Sequence, residues 1–154
     1  MTVAVQPARA VETPRYAGFW VRVLAFLVDG IVIGIVVSAL TVGRAGVITW
    51  DHWIELATWR SFVDTVASFA YFTLFWSTLG GGRTIGMRLL GLRVIGPDGN
   101  PVSYGTALLR WIGLIVSVAV VLLGLVWVAI DPRKQGWHDK IATTFVVHDR
   151  VPMA

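Results

Sequence analysis

Phe19 to Val42, FWVRVLAFLVDGIVIGIVVSALTV, is the stretch whose reading decides the fold. It is longer than the roughly 20 apolar residues that cross a hydrocarbon core, and it carries two charges, Arg22 and Asp29. Signal-peptide apolar cores run about 7 to 15 residues before a small-residue cleavage site. The stretch therefore reads as a retained helix. Arg22 and Asp29 are seven positions apart, a rotation of about 700° at 100° per residue, so both fall on one face about two turns apart. A carboxylate at mid-membrane costs roughly 2.5 to 3.5 kcal/mol on insertion scales and is tolerated only when it faces protein, water or a partner. Arg22 is nearer the end, where its stem can snorkel.

Composition extends the same reading outward. The chain has 154 residues, 56% hydrophobic and 14% charged, with mean hydropathy +0.72, against roughly 25% charged in soluble domains. Two further apolar runs follow, Phe62 to Leu79 and Leu108 to Ile130. The fold class expected is an all-α membrane protein, a small bundle of three hydrophobic helical segments (about 19–42, 62–79 and 108–130) with a short cytoplasmic β-hairpin. Residues 1–16 read as a mobile cytoplasmic tail, 17–148 as the membrane domain and 149–154 as a C-terminal tail.

The net charge of +4 does not point to nucleic acid, because the basic residues flank the apolar runs instead of clustering on one soluble face. Arg9 and Arg15 precede the first run, Arg83, Arg88, Arg93 and Arg110 lie between the second and third, and Arg133, Lys134 and Lys140 follow the third. That is the positive-inside distribution, with the N-terminus cytoplasmic. It leaves the third run with two readings. By length it crosses the membrane, and by charge it breaks near Ser117 to Gly124 and re-enters, since a full crossing puts the last basic cluster outside.

Between the runs, Trp50, Trp53, Ile54 and Ala57 share one helical face and predict a short interfacial helix with tryptophan anchors. Asp64 reads as an interfacial carboxylate. Gly30, Gly34 and Ser38 form a small-residue stripe suited to close packing within the bundle. Gly80-Gly81-Gly82 breaks the second helix, and Ile85, Leu89 and Leu92 then suit a short interfacial helix. Gly81 to Arg88 is not a phosphate-binding loop, because Met87 and Arg88 stand where Lys and Ser or Thr are required. Leu92 to Ile95, the turn Pro97-Asp98-Gly99-Asn100-Pro101 and Val102 to Tyr104 predict the hairpin, and Thr143 to Val147 is β-prone and able to add a third strand.

Four spaced motifs carry a resemblance. Arg22 and Asp29; Gly82-x-Thr84-x-Gly86-x-x-x-x-Gly91-Leu92-Arg93-Val94; Ala107-Leu108-Leu109-Arg110; and Gln135-Gly136-x-His138-Asp139-Lys140-x-Ala142-x-Thr144 occur in this order. Together, from about Tyr16 to Val147, they resemble the RDD family of prokaryotic membrane proteins. The resemblance implies that the arginine and two aspartates that name the family are Arg22, Asp29 and Asp139, and it brings with it a suggested role in transport of ions or protons.

The functional polar network expected is therefore Arg22, Asp29, Asp139, Arg110 and His138. Asp29 has two readings, ionised and paired with Arg22 directly or through water, or protonated by desolvation. The pair itself has two, a coupling site for a small cation or proton and a structural device fixing helix rotation. Asp139 could meet Arg22 or Arg110 if the C-terminal tail is cytoplasmic. No cofactor and no metal are expected, since His138, His148 and Asp139 lack a third well-spaced ligand and the chain has no cysteine. No nucleophilic triad signature occurs, so the chain is not expected to be an enzyme. The partners expected are the bilayer and a second copy or another membrane protein. The alternative to transport is an accessory protein that binds a partner through its hairpin and tail.

Overall fold

The computed structural model describes residues 14–41, 50–120 and 123–149. Most of the expected N-terminal tail, the Trp50 and Trp53 side chains and the chain end beyond Asp149 lie outside the described residues. The fold is mostly helical. Among the described residues six α-helices, α1 (Phe19–Thr41), α2 (Trp50–Trp76), α3 (Ile85–Leu89), α4 (Tyr104–Ala119), α5 (Leu123–Ile130) and α6 (Trp137–Ile141), accompany one antiparallel sheet of β1 (Leu92–Ile95) and β2 (Phe145–His148).

Helix α1 buries Arg22, Ala25, Asp29, Ile33, Val37 and Thr41, a stripe at three- and four-residue spacing that puts one face against the protein. Its other face is apolar and uncovered: Trp20, Leu27, Ile31, Ile35 and Leu40 are each at least 60% exposed. Gly30 and Gly34 have nothing within 4 Å of an added Cβ. The expectation that they pack inside the bundle is therefore corrected; the packed face is the neighbouring one.

The sequence from Trp50 to Trp76 contains neither Gly nor Pro, and it forms one continuous helix. The expected division into an interfacial helix and a separate second span is absent. Asp64 is exposed, but it is the fifteenth residue of this 27-residue helix and not near a helix start, so the reading that placed it at a span end is corrected. Phe72 stacks between Phe26 of α1 (centroids 5.6 Å) and Trp76 (4.8 Å), and Phe69 meets Trp111 of α4 edge-on at 5.0 Å. These rings form the core joining α1, α2 and α4. The helix ends at Ser77, whose side chain accepts from Leu79 N–H, before the glycine run. Gly81 and Gly82 adopt φ of 69° and 73°, the left-handed region open to glycine.

The predicted hairpin is corrected. Gly96 N–H donates to Asn100 carbonyl at 2.8 Å, so the turn forms, but β1 pairs with β2, with Leu92 opposite His148 and Ile95 opposite Phe145. Pro101 has no N–H to donate, and Ser103 caps α4 by accepting from Thr106 N–H, leaving too few residues for a returning strand. Val102 instead bridges to Ser77. The β-prone C-terminal segment takes the second place, and the chain before α1 covers its outer edge: Ala17 N–H donates to Val146 carbonyl and His148 N–H to Arg15 carbonyl, both at 2.9 Å.

The third apolar run is divided. Helices α4 and α5 meet at 100°, and α5 folds back so closely that a Cβ on Gly124 would meet Ser117 Oγ at 2.5 Å. Among the described residues only α1 is by itself long and apolar enough to cross a membrane; α4 and α5 reach that standard only together, across the bend.

Candidate functional site

The fold-back returns the chain to the end where α1 and α4 begin, and the polar residues meet there. Asp139 is the third residue of α6, and its Oδ2 accepts from Gly136 N–H at 3.1 Å, as a carboxylate at that position does in a capping box. The same oxygen accepts from Arg22 Nη1 at 2.5 Å, and Oδ1 forms an ion pair with Arg110 Nη2 at 2.9 Å. His138 Nε2 lies 3.5 Å from Oδ1. Arg22, Arg110, His138 and Asp139 are all at least 95% buried.

Arg22 is fully engaged. Its Nε donates to Ala17 carbonyl and its Nη2 to Lys134 carbonyl, so one guanidinium fork ties the entry of α1 to the segment after α5. Lys134 adopts φ 53°, an unusual conformation for a residue with a Cβ, and it is the residue whose carbonyl Arg22 holds. Asp131 supports this segment by accepting from Arg133 and Gln135 N–H and pairing with Lys140 at 2.5 Å. Arg110 is engaged on one side only: its guanidinium lies over the Trp76 ring at 4.5 Å, and its Nε and Nη1 are buried without a partner.

Burial works against the charge on Asp139, but Arg110, His138 and Arg22 together hold its carboxyl well below the usual carboxylate range. Burial pushes His138 down to about 4, which the pull of Asp139 does not offset.

Asp29 stands apart from this cluster, 1% exposed. The direct contact with Arg22, one of the two readings of Asp29, is not made. Two turns separate the residues by about 10 Å along the axis, at 1.5 Å per residue, and each finds nearer partners. Asp29 Oδ1 accepts from Tyr71 O–H and Gly86 N–H, both at 2.7 Å, and Oδ2 accepts from Thr84 Oγ at 2.6 Å. Thr84 also caps α3 through Met87 N–H at 3.2 Å. A Cβ on Gly86 would lie 2.2 Å from Ala25 carbonyl oxygen, so glycine is what allows α3 to reach α1. Among the described residues no Lys, Arg or His lies within ion-pair distance of Asp29.

The structure thus brings together four of the five expected residues, Arg22, Arg110, His138 and Asp139, and places Asp29 in a second centre with Tyr71, Thr84 and Gly86. Thr84 and Gly86 were visible within a motif without a role, and Tyr71 had a weak signal, a hydroxyl in a run of phenylalanines. Among the described residues no group of acidic, His or Cys side chains forms a metal site.

The sequence profile of the RDD family matches residues 16–143, a span that takes in both centres. The chain belongs to the RDD family. Three similar proteins come from Bacillus subtilis (strain 168). YxaI is 30% identical, covering 86% of this chain and 97% of its own length, and YckC is 30% identical, covering 86% and 84%. YteJ, named as an uncharacterized membrane protein, is 32% identical over 90% of this chain and 85% of its own. No solved structure gives a significant match. In this RDD protein Arg22 and Asp139 form one ion pair, and Asp29 is bound apart from them by Tyr71, Thr84 and Gly86.

Proposed function

We propose that this RDD protein is a multi-pass membrane protein that exchanges a small cation or proton at Asp29. The observation that carries the reading is a buried carboxylate with three hydrogen-bond donors and, among the described residues, no cationic partner within ion-pair distance. Three donors hold the carboxylate oxygens in place, and among the described residues no fixed cation lies within ion-pair distance of them, which leaves the position open to a mobile one. Tyr71 and Thr84 hydroxyls can accept as well as donate, so both can turn lone pairs toward a bound cation while Asp29 supplies the charge. Arg22, paired with Asp139, takes no part in binding and fixes the fold instead.

The membrane setting is supported by the uncovered apolar face of α1, by the naming of YteJ and by the charge distribution. In this arrangement α1 and α2 cross and α4 with α5 re-enters. Arg15, Arg83, Arg93, Arg133 and Lys134 then gather with the sheet at one end, which the positive-inside bias makes cytoplasmic, and the C-terminal segment joins them. Three short hydrophobic segments enclose little volume, so a pathway is formed between copies in a homo-oligomer.

Reconstitution in proteoliposomes tests the proposal. Wild-type protein is expected to dissipate a sodium, potassium or proton gradient, and Asp29→Asn to abolish the flux while the protein remains folded. Flux equal to that of empty liposomes under all three gradients would overturn it. That result would favour the alternative, an accessory protein whose exposed turn at 97–100 contacts a membrane partner.

A further inference from the structure

Helix α2 carries a polar face that the described residues leave uncovered. At 100° per residue, Arg60, Ser61, Asp64, Thr65 and Ser68 fall within an arc of about 140°. The first four are exposed and Ser68 is half-buried. Ser61 and Thr65 hydroxyls donate to carbonyls of their own helix, Ala57 and Ser61, both at 2.8 Å, so they present lone pairs outward. Asp64 has no hydrogen-bond or ion-pair partner among the described residues. Helix α1 does not close over this face. Toward the sheet end Phe72 packs on Phe26, but further out Gly30 and Gly34 have nothing within 4 Å of an added Cβ, and Arg60 reaches across with its long side chain, Nη2 to Ser38 Oγ at 3.3 Å.

That contact also sets the depth. Arg60 is about level with Ser38, and Asp64 is one turn nearer the sheet end, so it lies about 10 Å inside the outer end of α1 at 1.5 Å per residue. With α1 and α2 crossing the bilayer, the carboxylate faces outward where lipid offers it neither hydrogen bonds nor a counter-charge, and it is tolerated there only against protein or water. The charges on the face specify which protein. It carries one cation and one anion a turn apart. Copies inserted alike and related by a two-fold axis along the membrane normal set their α2 helices side by side at equal depth, an isologous contact. Arg60 of each copy is then about 6 Å in depth from Asp64 of the other, within reach of an arginine side chain, and both pairs form. Each Arg60 exchanges a neutral hydroxyl for a carboxylate, the stronger acceptor. Ala57 and Ser61, exposed on the same face, are small enough to let the two helices approach.

We propose that this face of α2 is the contact between two copies of the chain, with Arg60 of each paired to Asp64 of the other. It rests on the reading that α2 crosses the membrane and not on exchange at Asp29.

Oxidative crosslinking of single cysteines in membranes holding the full chain tests it, since the native chain has none. Ser61→Cys is expected to give a disulfide-linked dimer, and Val66→Cys, exposed about 140° round the helix, to give none. In the Ser61→Cys background, Asp64→Arg and Arg60→Asp each set like charges across the axis and are expected to lower the dimer yield about tenfold or more. Expressing those two variants together, under different affinity tags, is expected to restore a mixed dimer, which repair of a pair within one helix would not produce. Equal crosslinking of Val66→Cys, yields unchanged by the charge variants, no mixed dimer, or crosslinks from position 61 only to another protein would overturn the proposal. Labelling of Glu55→Cys by an impermeant maleimide from the same side as His148→Cys would remove the crossing of α2 and the interface with it. Position 55 on the opposite side with no dimer from Ser61→Cys would refute the interface alone.

Discussion

Asp139 is held by two arginines from different helices, and its neighbour His138 is buried in the same cluster without a hydrogen-bond partner at Nδ1. The acid stability of the protein follows from these two residues. His138 titrates ordinarily at 6.5 and in the fold at about 4, so between those values the unfolded chain binds the additional proton. Stability therefore falls as pH is lowered through that window. Asp139 is depressed, so its contribution is present above the ordinary carboxylate value and lost as pH drops below it toward the folded value. Thermal unfolding in detergent should show a midpoint that declines from about pH 6.5 downward. His138→Gln should flatten the upper part of the decline and leave the lower part in place. At this scale the sequence was informative about identity and poor about pairing. Helical periodicity correctly put Arg22 and Asp29 on one buried face, but a shared face two turns apart is not a contact. The actual partner of Arg22 is 117 positions away, a separation on which local periodicity carries no information.

The elements differ from the sequence reading where tertiary partners competed with local signals. The turn at Pro97–Pro101 formed as its residues require, yet β1 took Phe145–His148 as its partner because Pro101 and the Ser103 cap leave no room for a returning strand. The break in the third run is legible in the sequence as a charge argument alone; in the fold, Gly124 is what lets α5 pack closely on α4 at Ser117. Helix α3 depends most on one residue. Gly86→Ala would force a Cβ to 2.2 Å from Ala25 backbone oxygen and draw Gly86 N–H away from Asp29. The expected loss is about 1–3 kcal/mol, the range for overpacking. Gly105→Ala in the first turn of α4, whose Cβ would meet nothing nearer than 3.9 Å, should be neutral or stabilise by up to about 1 kcal/mol. Denaturant unfolding of the two variants in the same detergent compares them directly.

Across the whole molecule, one arrangement accounts for the rest. The start of α1, the β1–β2 sheet, the start of α4 and the segment after α5 meet at one end, because Arg22 and Arg110 both bind Asp139. Composition pointed to a membrane protein, and the RDD motifs picked out Arg22, Arg110, His138, Asp139 and Asp29, all of which the fold buries. Neither could say that the third run returns, since length and charge argued opposite ways. The absence of native cysteine makes the arrangement open to a clean test. Single cysteines at Asn100, His148 and Glu55, all exposed, can be labelled in oriented membrane vesicles with an impermeant maleimide. The account predicts that the cysteines at 100 and 148 react from the same side and the one at 55 from the opposite side. Labelling of positions 100 and 148 from opposite faces would contradict it, because Asp139 could then not reach Arg22 and Arg110 together.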